Sequence, residues 1–497
     1  MVPLTGGAFF MNIKNIGKKI LLMLLSVSLL TGSVSFTEFL PSASLTAEAA
    51  SLAAPKNFKV EFNNLSAKLT WSKVTGASGY VIYRRFNDGK YTKIKMTTSL
   101  SYTETYHSGF TQSQRDAYLN HDYCLDVSSN PITYAIKAYK KSGSKYTYSS
   151  KVIYYDLCEP VITGYTASGK TITVSWGTVP FAKKYYIYTK ASDDAKWEKV
   201  RGLFAETDKS IMTASFDNNK PKYVTVRAIS TRNGVSIKSN YDPSFDVTGF
   251  ASYKNKNILV IGDSISYGSP YRQKLGTSIY TYCNRIALMT GANVDNISIS
   301  GGRVSTSSGT SKSIAKRVIN MGTDSYENIK DTSGEAVLPL ESYDVVIIGG
   351  GTNDYSDNVK MGTYQASGFI YFRGALNNMM DALLAASKRR VSNDKAPITV
   401  VYTDIFYGQK RASYAKVTNR YTTDNTIGFT LSDYNTSFVK VIESYAGSNL
   451  PVVRCRTTSF VNSANCSTAT VENLHMTRIT AAHFGDYIAG LVIEALK

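Results

Sequence analysis

The hydrophobic pattern of this chain changes its period near residue 250, and that change limits what the chain can fold into. Residues 53–248 are short runs of alternating apolar and polar side chains, separated by Gly, Asn, Asp and Ser. A period of two is typical of strands that bury one face, so this part predicts all-β sandwiches. From residue 254, apolar runs alternate with longer helical stretches, which predicts a parallel sheet covered by helices on both faces. A chain of 497 residues is also too long for one ordinary core.

The β-rich part contains an internal repeat. The stretch "SAKLTWSKVTGASGYVIYRR" is matched by "TITVSWGTVPFAKKYYIYTK", and each places a Trp, Trp71 or Trp176, before a Tyr-rich strand. This pattern resembles a tandem of fibronectin type III modules, at residues 53–157 and 158–248. The resemblance implies two immunoglobulin-like sandwiches that act either as spacers or as docking modules. If they are spacers, residues 254–497 should fold alone.

The N-terminal 50 residues have the pattern of an export signal. Basic residues in "MNIKNIGKK" precede the apolar run "ILLMLLSVSLL", and "TAEAA" offers a small-residue cleavage site near Ala49 or Ala50. We therefore expect a signal peptide region at 1–50 and a secreted, extracellular protein. An uncleaved anchor is the alternative, but the apolar core is shorter than the ~20 residues that span a bilayer, so no stable membrane span is expected.

The net charge of the chain indicates which class of partner it binds. The 56 Lys and Arg residues exceed the 37 Asp and Glu residues, for a net charge of +19. This excess favours an anionic partner such as an acidic cell wall or glycan, and charge spread over solvated faces is the alternative. No basic block with interleaved aromatic residues is present, so nucleic acid is not expected as a partner.

The cysteine count leaves the disulfides open. Five cysteines in an exported chain leave at least one unpaired. Cys455 and Cys466 are close enough in sequence to bridge, as are Cys124 and Cys158, with Cys283 left over. Buried thiols are the alternative for either pair.

Polar or glycine-rich clusters follow the strands of the C-terminal part. "GDS" at 262–264 follows the run "NILVI", "NISISGG" spans 296–302, and "GGGTNDY" at 349–355 follows "YDVVII". A fourth cluster, "ENLH" at 472–475, precedes the last helical stretch. The carboxyl ends of parallel strands share one edge of a sheet, so we expect these clusters to meet. They include a candidate nucleophile, base, orienting acid and oxyanion donors, which are the groups that ester hydrolysis needs.

In this order, the motifs resemble those of SGNH hydrolases of the GDSL esterase type, over residues 254–497. The resemblance implies a flavodoxin-like α/β/α domain and a serine esterase that hydrolyses ester bonds through an acyl-enzyme, without a cofactor. It implies Ser264 as the nucleophile, His475 as the base and Glu472 as the orienting acid, where the family has Asp. The oxyanion hole that it implies consists of the backbone N–H groups of Ser264 and Gly301 and the side-chain amide of Asn353.

Each of these residues also has a structural explanation. A Ser in "GDS" commonly caps a helix, and glycine pairs and "TND" commonly form turns. Glu472 could be a solvated side chain, with a backbone carbonyl orienting His475 and the enzyme running as a dyad. Four matches in order favour catalysis. The other histidines, His107, His121 and His483, form no cluster at ligand spacing, so no metal site is expected.

The substrate is predicted by analogy alone. Sandwich modules on an exported hydrolase suggest a large insoluble substrate, so the first hypothesis is a carbohydrate esterase that removes O-acetyl groups from a polysaccharide at an anionic cell-wall surface. A secreted lipase or lysophospholipase is the second hypothesis. A catalytically silent glycan-binding or adhesion protein at the cell surface is a third, and the presence of Ser264, Asn353 and His475 argues against it.

Overall fold

The structure is a computed structural model. Within residues 52–497 it describes everything except 63–65, 88, 106–108, 112, 115–116, 118–131, 156, 169–170, 201–204, 207–210, 216–220, 233–234, 242, 248–252, 270, 272–279, 307–311, 414–415 and 472–473. The sequence predictions that concern residues 1–50, His107, His121, Cys124 and Glu472 lie outside the described residues.

The first β-rich region, within residues 53–157, consists of two antiparallel sheets with a common core. One sheet has the strand order β1-β2-β5, and the other has the order β4-β3-β6-β7 with β8 beside β6. The strands are β1 (Lys59–Phe62), β2 (Ser66–Thr70), β3 (Gly79–Phe86), β4 (Thr92–Thr97), β5 (Ser101–Thr105), β6 (Ile132–Ser142), β7 (Lys145–Tyr148) and β8 (Val152–Ile153). Alternate residues of both sheets, among them Leu69, Ile82 and Ile136, are buried between them, as a period of two requires.

The second β-rich region, within residues 158–248, repeats this arrangement. Its sheets have the orders β14-β10-β9 and β12-β11-β15-β16, with β13 beside β11 and β17 beside β15. The strands are β9 (Ile162–Ser168), β10 (Thr171–Trp176), β11 (Lys184–Lys190), β12 (Glu198–Lys199), β13 (Ala205–Glu206), β14 (Ile211–Ser215), β15 (Tyr223–Arg232), β16 (Val235–Lys238) and β17 (Phe245–Asp246). Both regions are therefore β-rich, as the alternating pattern predicts.

The same hydrogen bonds recur at equivalent positions of the two regions. The N–H of Val74 donates to the Tyr80 hydroxyl at 2.9 Å, and the N–H of Val179 donates to the Tyr185 hydroxyl at 2.8 Å. A serine hydroxyl also accepts an alanine N–H in each copy, at 2.9 Å for Ala138 to Ser149 and at 3.0 Å for Ala228 to Ser239. The sequence repeat is therefore also a repeat of buried polar contacts.

The C-terminal region is an α/β domain built on a parallel sheet, as the change of period predicts. Its strand order is β19-β18-β20-β21-β24, the 2-1-3-4-5 order of flavodoxin-like sheets. The sheet strands are β18 (Asn257–Ile261), β19 (Asn293–Asn296), β20 (Val345–Ile348), β21 (Thr399–Thr403) and β24 (Val452–Cys455). Two small hairpins pair β22 (Gln409–Ser413) with β23 (Lys416–Asn419) and β25 (Thr470–Val471) with β26 (His475–Met476).

Helices cover both faces of this sheet. They are α1 (Ser264–Tyr267), α2 (Tyr282–Thr290), α3 (Ile314–Met321), α4 (Thr352–Ser356), α5 (Phe372–Ser392), α6 (Leu431–Glu443), α7 (Cys466–Ala469) and α8 (Arg478–Ala495), with short 3₁₀ helices at Asp324–Asn328 and Leu340–Ser342. The apolar faces of α2 and α8 pack with Ile258 and Val260 of β18, while α3, α5 and α6 pack with Leu259 and Ile261 on the opposite face. Among the described residues, no helix is both long and apolar enough to cross a bilayer.

The second β-rich region shares a hydrophobic core with the α/β domain, so it is not a detached spacer. Buried side chains of that region, including Trp176 and Phe245, belong to the same apolar cluster as the helices α2 and α8. Arg285 of α2 is buried at this boundary, where it pairs with Asp486 of α8 and donates to the Ser244 carbonyl oxygen at 2.7 Å. Its guanidinium also lies 5.0 Å from the ring centroid of Phe245.

We expect Arg285→Ala to destabilise the protein by about 3 kcal/mol, because it removes the partner of Asp486 within the domain and the contacts to Ser244 and Phe245 across this boundary. The surface substitution Arg389→Ala is the matched control, since its partner Glu341 is exposed and such pairs contribute less than about 1 kcal/mol. Urea unfolding of both variants measures the difference. Equal midpoints would show that the boundary contributes nothing to stability. On the same grounds, residues 254–497 produced alone should unfold at lower urea than the full chain.

The described cysteines answer part of the disulfide question. Cys283, Cys455 and Cys466 are buried thiols, so the bridge between Cys455 and Cys466 that the sequence left open is not formed. Cys455 lies at the end of β24, an edge strand of the parallel sheet, where burial raises the pKa of its thiol well above the usual range. Cys158 is disulfide-bonded. Two cysteines near in sequence are thus separate thiols, both packed among the apolar side chains of one core.

Candidate active site

The candidate site lies at the carboxyl edge of the sheet, where the strand order reverses. The first strand of the domain, β18, is central, with β19 on one side and β20 on the other. Loops that leave neighbouring strands in opposite directions open a crevice at such a point. The clusters after β18, β19 and β20 therefore adjoin one another.

Ser264 is held by a short helix that begins directly after β18. Asp263 is the N-cap of α1, and its carboxylate accepts the N–H of Ile265 at 2.9 Å. Gly262 leaves space for this turn, because a Cβ there would lie 2.4 Å from the Ser266 hydroxyl oxygen. Ser264 is half-buried at the start of the helix. The "GDS" sequence is thus a strand end, a cap and a half-buried hydroxyl in three consecutive residues.

His475 reaches this hydroxyl from the other end of the domain. Its Nε2 lies 2.9 Å from the Ser264 Oγ, although the two residues are 211 positions apart. The ring is carried by β26, which pairs with β25, and the chain then enters α8 through the N-cap Thr477. A hydroxyl and an imidazole nitrogen at hydrogen-bonding distance can exchange a proton.

The loop after β19 is fastened to the Ser264 loop. The N–H of Ile299 donates to the Gly262 carbonyl oxygen at 3.0 Å. Asn296 is buried, and its side-chain amide donates to the Ser266 carbonyl oxygen at 2.9 Å. Gly301 follows with a φ of 75°, in the left-handed region that favours glycine. This loop therefore brings the backbone of Gly301 to the same edge as Ser264.

Asn353 connects the loop after β20 to the loop after β19. It lies in the first turn of α4, and its side-chain Nδ2 donates to the Gly302 carbonyl oxygen at 2.8 Å. An amide nitrogen carries two hydrogens, so one remains for a further acceptor. The structure thus brings together Ser264, His475, Gly301 and Asn353, all of which the sequence motifs single out. Glu472 lies outside the described residues, and His483 is exposed on α8.

Asp354 is a part of the site that the sequence analysis missed. It is fully buried and accepts three hydrogen bonds from the loop after β19: from the N–H groups of Val304 and Ser305 at 2.8 and 3.0 Å, and from the Ser305 hydroxyl at 2.6 Å. Burial raises the pKa of this carboxyl to about 6, against the opposing effect of these donors. The sequence signal that could have identified Asp354 is its position directly after Asn353 in "GTND". Asp354 fixes the position of Asn353 relative to Gly301.

The carboxyl of Asp263 is a second acidic group close to His475. Its carboxyl is buried, and burial raises its pKa. The Ile265 N–H and the positive charge of His475 oppose that rise. Asp263 is therefore a buried acid whose charge interacts with that of His475. Among the described residues, no group of His, Cys, Asp and Glu side chains is arranged to hold a metal ion.

A comparison with protein families covers this domain. Residues 258–488 match the family of GDSL-like lipases and acylhydrolases. The matched range runs from within β18 to within α8 and includes both Ser264 and His475. The α/β domain is therefore a carboxylic ester hydrolase domain of the GDSL type, as the motifs predict.

Solved structures to which this chain is similar include a possible lipase from Chitinophaga pinensis, which is 15% identical at a TM-score of 0.32 and covers 48% of this chain and 98% of that chain. A carbohydrate esterase of family 2 from Corynascus thermopiles, with a carbohydrate-binding domain, is 18% identical at 0.30, covering 68% and 99%. A family 2 carbohydrate esterase from Clostridium thermocellum, in complex with cellohexaose, is 13% identical at 0.31, covering 68% and 99%. Identities and TM-scores this low say nothing about the substrate of the GDSL domain. No curated protein matches the sequence.

The raised pKa of Asp354 gives a test of its place in the GDSL domain. In the folded protein this carboxyl takes up a proton near pH 6, against 3.8 in the unfolded chain. Its contribution to stability is therefore complete below pH 3.8 and is lost as the pH rises through about 6. Relative to wild type, the free energy of unfolding of Asp354→Asn should rise by about 3 kcal/mol between pH 4 and 7.

At neutral pH, the same Asp354→Asn variant should be less active than wild type, although its stability relative to wild type is expected to rise with pH. The amide of Asp354→Asn would point an N–H at the loop donors, displace that loop and lower ester hydrolysis by about 10²-fold. Asp357→Asn is the matched control, because that carboxylate lies at the end of the same helix but is half exposed, with its oxygen 3.0 Å from Arg303. Parallel stability curves for wild type and Asp354→Asn would contradict the raised pKa.

Proposed function

We propose that Ser264 is the nucleophile and His475 the general base of a secreted serine esterase. The observation that carries this proposal is the 2.9 Å contact between the Ser264 Oγ and the His475 Nε2 at the switch point of the sheet. As the hydroxyl attacks the acyl carbon, the imidazole takes its proton and later returns it to the leaving alcohol. Water then attacks the acyl-enzyme on Ser264 with the same base and releases the acid.

The oxyanion of each tetrahedral intermediate would be held by three donors. These are the backbone N–H groups of Ser264 and Gly301 and the second hydrogen of the Asn353 amide. The hydrogen bond from Asn353 to Gly302 orients that amide before substrate binds. Donors fixed in advance need no reorganisation when charge develops, and removing one typically costs ~10²–10³ in rate. Glu472 would complete the triad by orienting the His475 ring.

The substrate class that we propose is an O-acetyl ester on a polysaccharide. An N-terminal stretch with the pattern of an export signal and a net charge of +19 support action outside the cell, at an anionic cell-wall surface. Two β-rich regions precede the hydrolase domain, and we interpret them as fibronectin type III modules. Their matching strand orders, a three-stranded sheet against a larger one, support this interpretation.

A substrate panel tests the proposal. The full chain would be given acetylated xylan, acetylated pectin, O-acetylated peptidoglycan, a lysophospholipid and a chromogenic acetate ester, with release of acid as the readout. We expect acetate from at least one polymer and from the chromogenic ester. Release of fatty acid without acetate would support a lipase or lysophospholipase instead. A folded protein that hydrolyses none of them, chromogenic ester included, would overturn the esterase and leave a glycan-binding or adhesion protein.

A further inference from the structure

Three tyrosines form an exposed aromatic surface on the first β-rich region, far in sequence from the GDSL domain. Tyr139 lies on β6, and Tyr146 and Tyr148 lie on β7. The pairing register sets Tyr139 opposite Tyr148 and Lys141 opposite Tyr146, so these four side chains share one face of the hairpin. Ile136 and Ala138 of the same strand belong to the core, and alternation turns Tyr139 away from it. We call this face, Tyr139, Lys141, Tyr146 and Tyr148, the tyrosine face.

The rings of the tyrosine face are arranged as a platform. Tyr146 and Tyr148 are stacked with an angle of 14° between their planes and 6.2 Å between their centroids. The Tyr139 centroid lies 5.4 Å from that of Tyr146 and 6.4 Å from that of Tyr148. Tyr146 and Tyr148 are 39% and 45% exposed, among the most exposed large hydrophobic side chains described. Exposed apolar clusters of this kind commonly mark a binding surface.

A glycine makes room for the innermost ring. Gly79 of β3 pairs with Tyr139 across the sheet. A Cβ at Gly79 would lie 2.5 Å from the Tyr139 hydroxyl oxygen and 2.7 Å from its ring carbon Cζ. The missing side chain therefore lets the Tyr139 ring lie against the backbone of β3. The platform thus extends from the hairpin onto the sheet.

The sequence segment that carries the tyrosine face is basic. Residues 137–151 contain five lysines, at 137, 140, 141, 145 and 151, and no Asp or Glu. The Nζ of Lys141 lies 5.7 Å from the Tyr146 ring centroid, on the same face as the rings. A ligand that fits this surface combines flat apolar faces with negative charge, because the rings offer stacking and the lysines offer ion pairs.

We propose that the tyrosine face binds a uronic-acid polysaccharide and so holds the esterase on its polymer. Pyranose rings present C–H faces that stack on aromatic side chains, and their carboxylates complement the lysines. The inference rests on the proposed function, since a hydrolase of polysaccharide esters gains from a second attachment to the same chain. Single-stranded nucleic acid also stacks on aromatic platforms beside cations, but the export pattern of residues 1–50 favours an extracellular polymer.

Affinity electrophoresis of the full chain in gels containing polygalacturonate tests the proposal. We expect the polymer to retard wild type, with less retardation at high salt. Tyr146→Ala/Tyr148→Ala should weaken binding by roughly tenfold or more, and Lys141→Gln by about threefold. Tyr146→Phe/Tyr148→Phe keeps the rings and should retain most of the binding. Tyr487→Ala is the matched control, because Tyr487 is 41% exposed on α8 of the GDSL domain.

The outcomes separate this inference from the proposed function. Hydrolysis of a chromogenic acetate should stay within about twofold of wild type in every variant, and circular dichroism spectra that match wild type show that each is folded. Equal binding by wild type and Tyr146→Ala/Tyr148→Ala would overturn the tyrosine face as the site, as would equal retardation by hydroxyethylcellulose or by poly(dT). Dimers that dissociate only in the Ala variant would overturn it too and indicate a second copy of this chain as the occupant. Binding without any ester hydrolysis would contradict the proposed function alone.

Discussion

Replacing Ser264 with Ala should lower the hydrolysis of a chromogenic acetate by about 10⁶-fold while leaving the fold intact. The side chain is half-buried, and its Oγ lies 2.9 Å from the His475 Nε2, so the change removes the attacking oxygen without opening a core cavity. Initial rates measured at several protein concentrations, with circular dichroism of the variant, check both parts. A fluorophosphonate probe should label wild type and not Ser264→Ala.

The Ser264 prediction has two controls. Ser356→Ala removes an exposed hydroxyl whose oxygen lies 3.0 Å from the Thr352 carbonyl in α4, and we expect turnover within about twofold of wild type. The double variant Ser264→Ala/His475→Ala should be no slower than either single variant, because nucleophile and base act as a unit. Wild-type turnover in Ser264→Ala would remove Ser264 from the mechanism and, with it, the acyl-enzyme.

Replacing Glu472 with Gln should lower turnover by up to ~10⁴-fold, by analogy with the acid-to-amide change in serine proteases. A carboxylate accepts the ring N–H that faces away from the nucleophile and stabilises the imidazolium, whereas an amide does neither fully. Glu472→Asp keeps the charge but shortens the side chain by one methylene, so we expect a smaller loss. The test is to measure the turnover of wild type, Glu472→Gln and Glu472→Asp across the pH range in which histidine titrates.

Asp263 provides the comparison variant for this test, because it is a second acid whose charge interacts with His475. Asp263→Asn retains an oxygen to accept the Ile265 N–H, so the cap of α1 survives while the charge is lost. If Glu472 is the triad acid, Glu472→Gln should cost far more than Asp263→Asn. Wild-type turnover in Glu472→Gln would rule out the triad and favour a dyad of Ser264 and His475.

The segments of the candidate site could be predicted from the sequence because each is a short motif that directly follows one strand. "GDS", "NISISGG" and "GTND" each follow an apolar run, and the carboxyl ends of parallel strands must share an edge. Sequence reasoning missed Asp354 because its role depends on hydrogen bonds to Val304 and Ser305, which lie some 50 positions away in the chain. It also left open a bridge between Cys455 and Cys466, and the structure shows both as buried thiols.

The sequence by itself determined the class of each region, since hydrophobic period follows from the geometry of strands and helices. It also determined which residues stand at strand ends. Only the tertiary structure decided which of them meet: Ser264 with His475 across 211 positions, and α2 and α8 with the second β-rich region through Arg285. It also showed which tyrosines share an exposed face. These contacts depend on packing between distant segments. The removal of apolar surface from water selects one arrangement of these segments, which local conformational preferences alone do not determine.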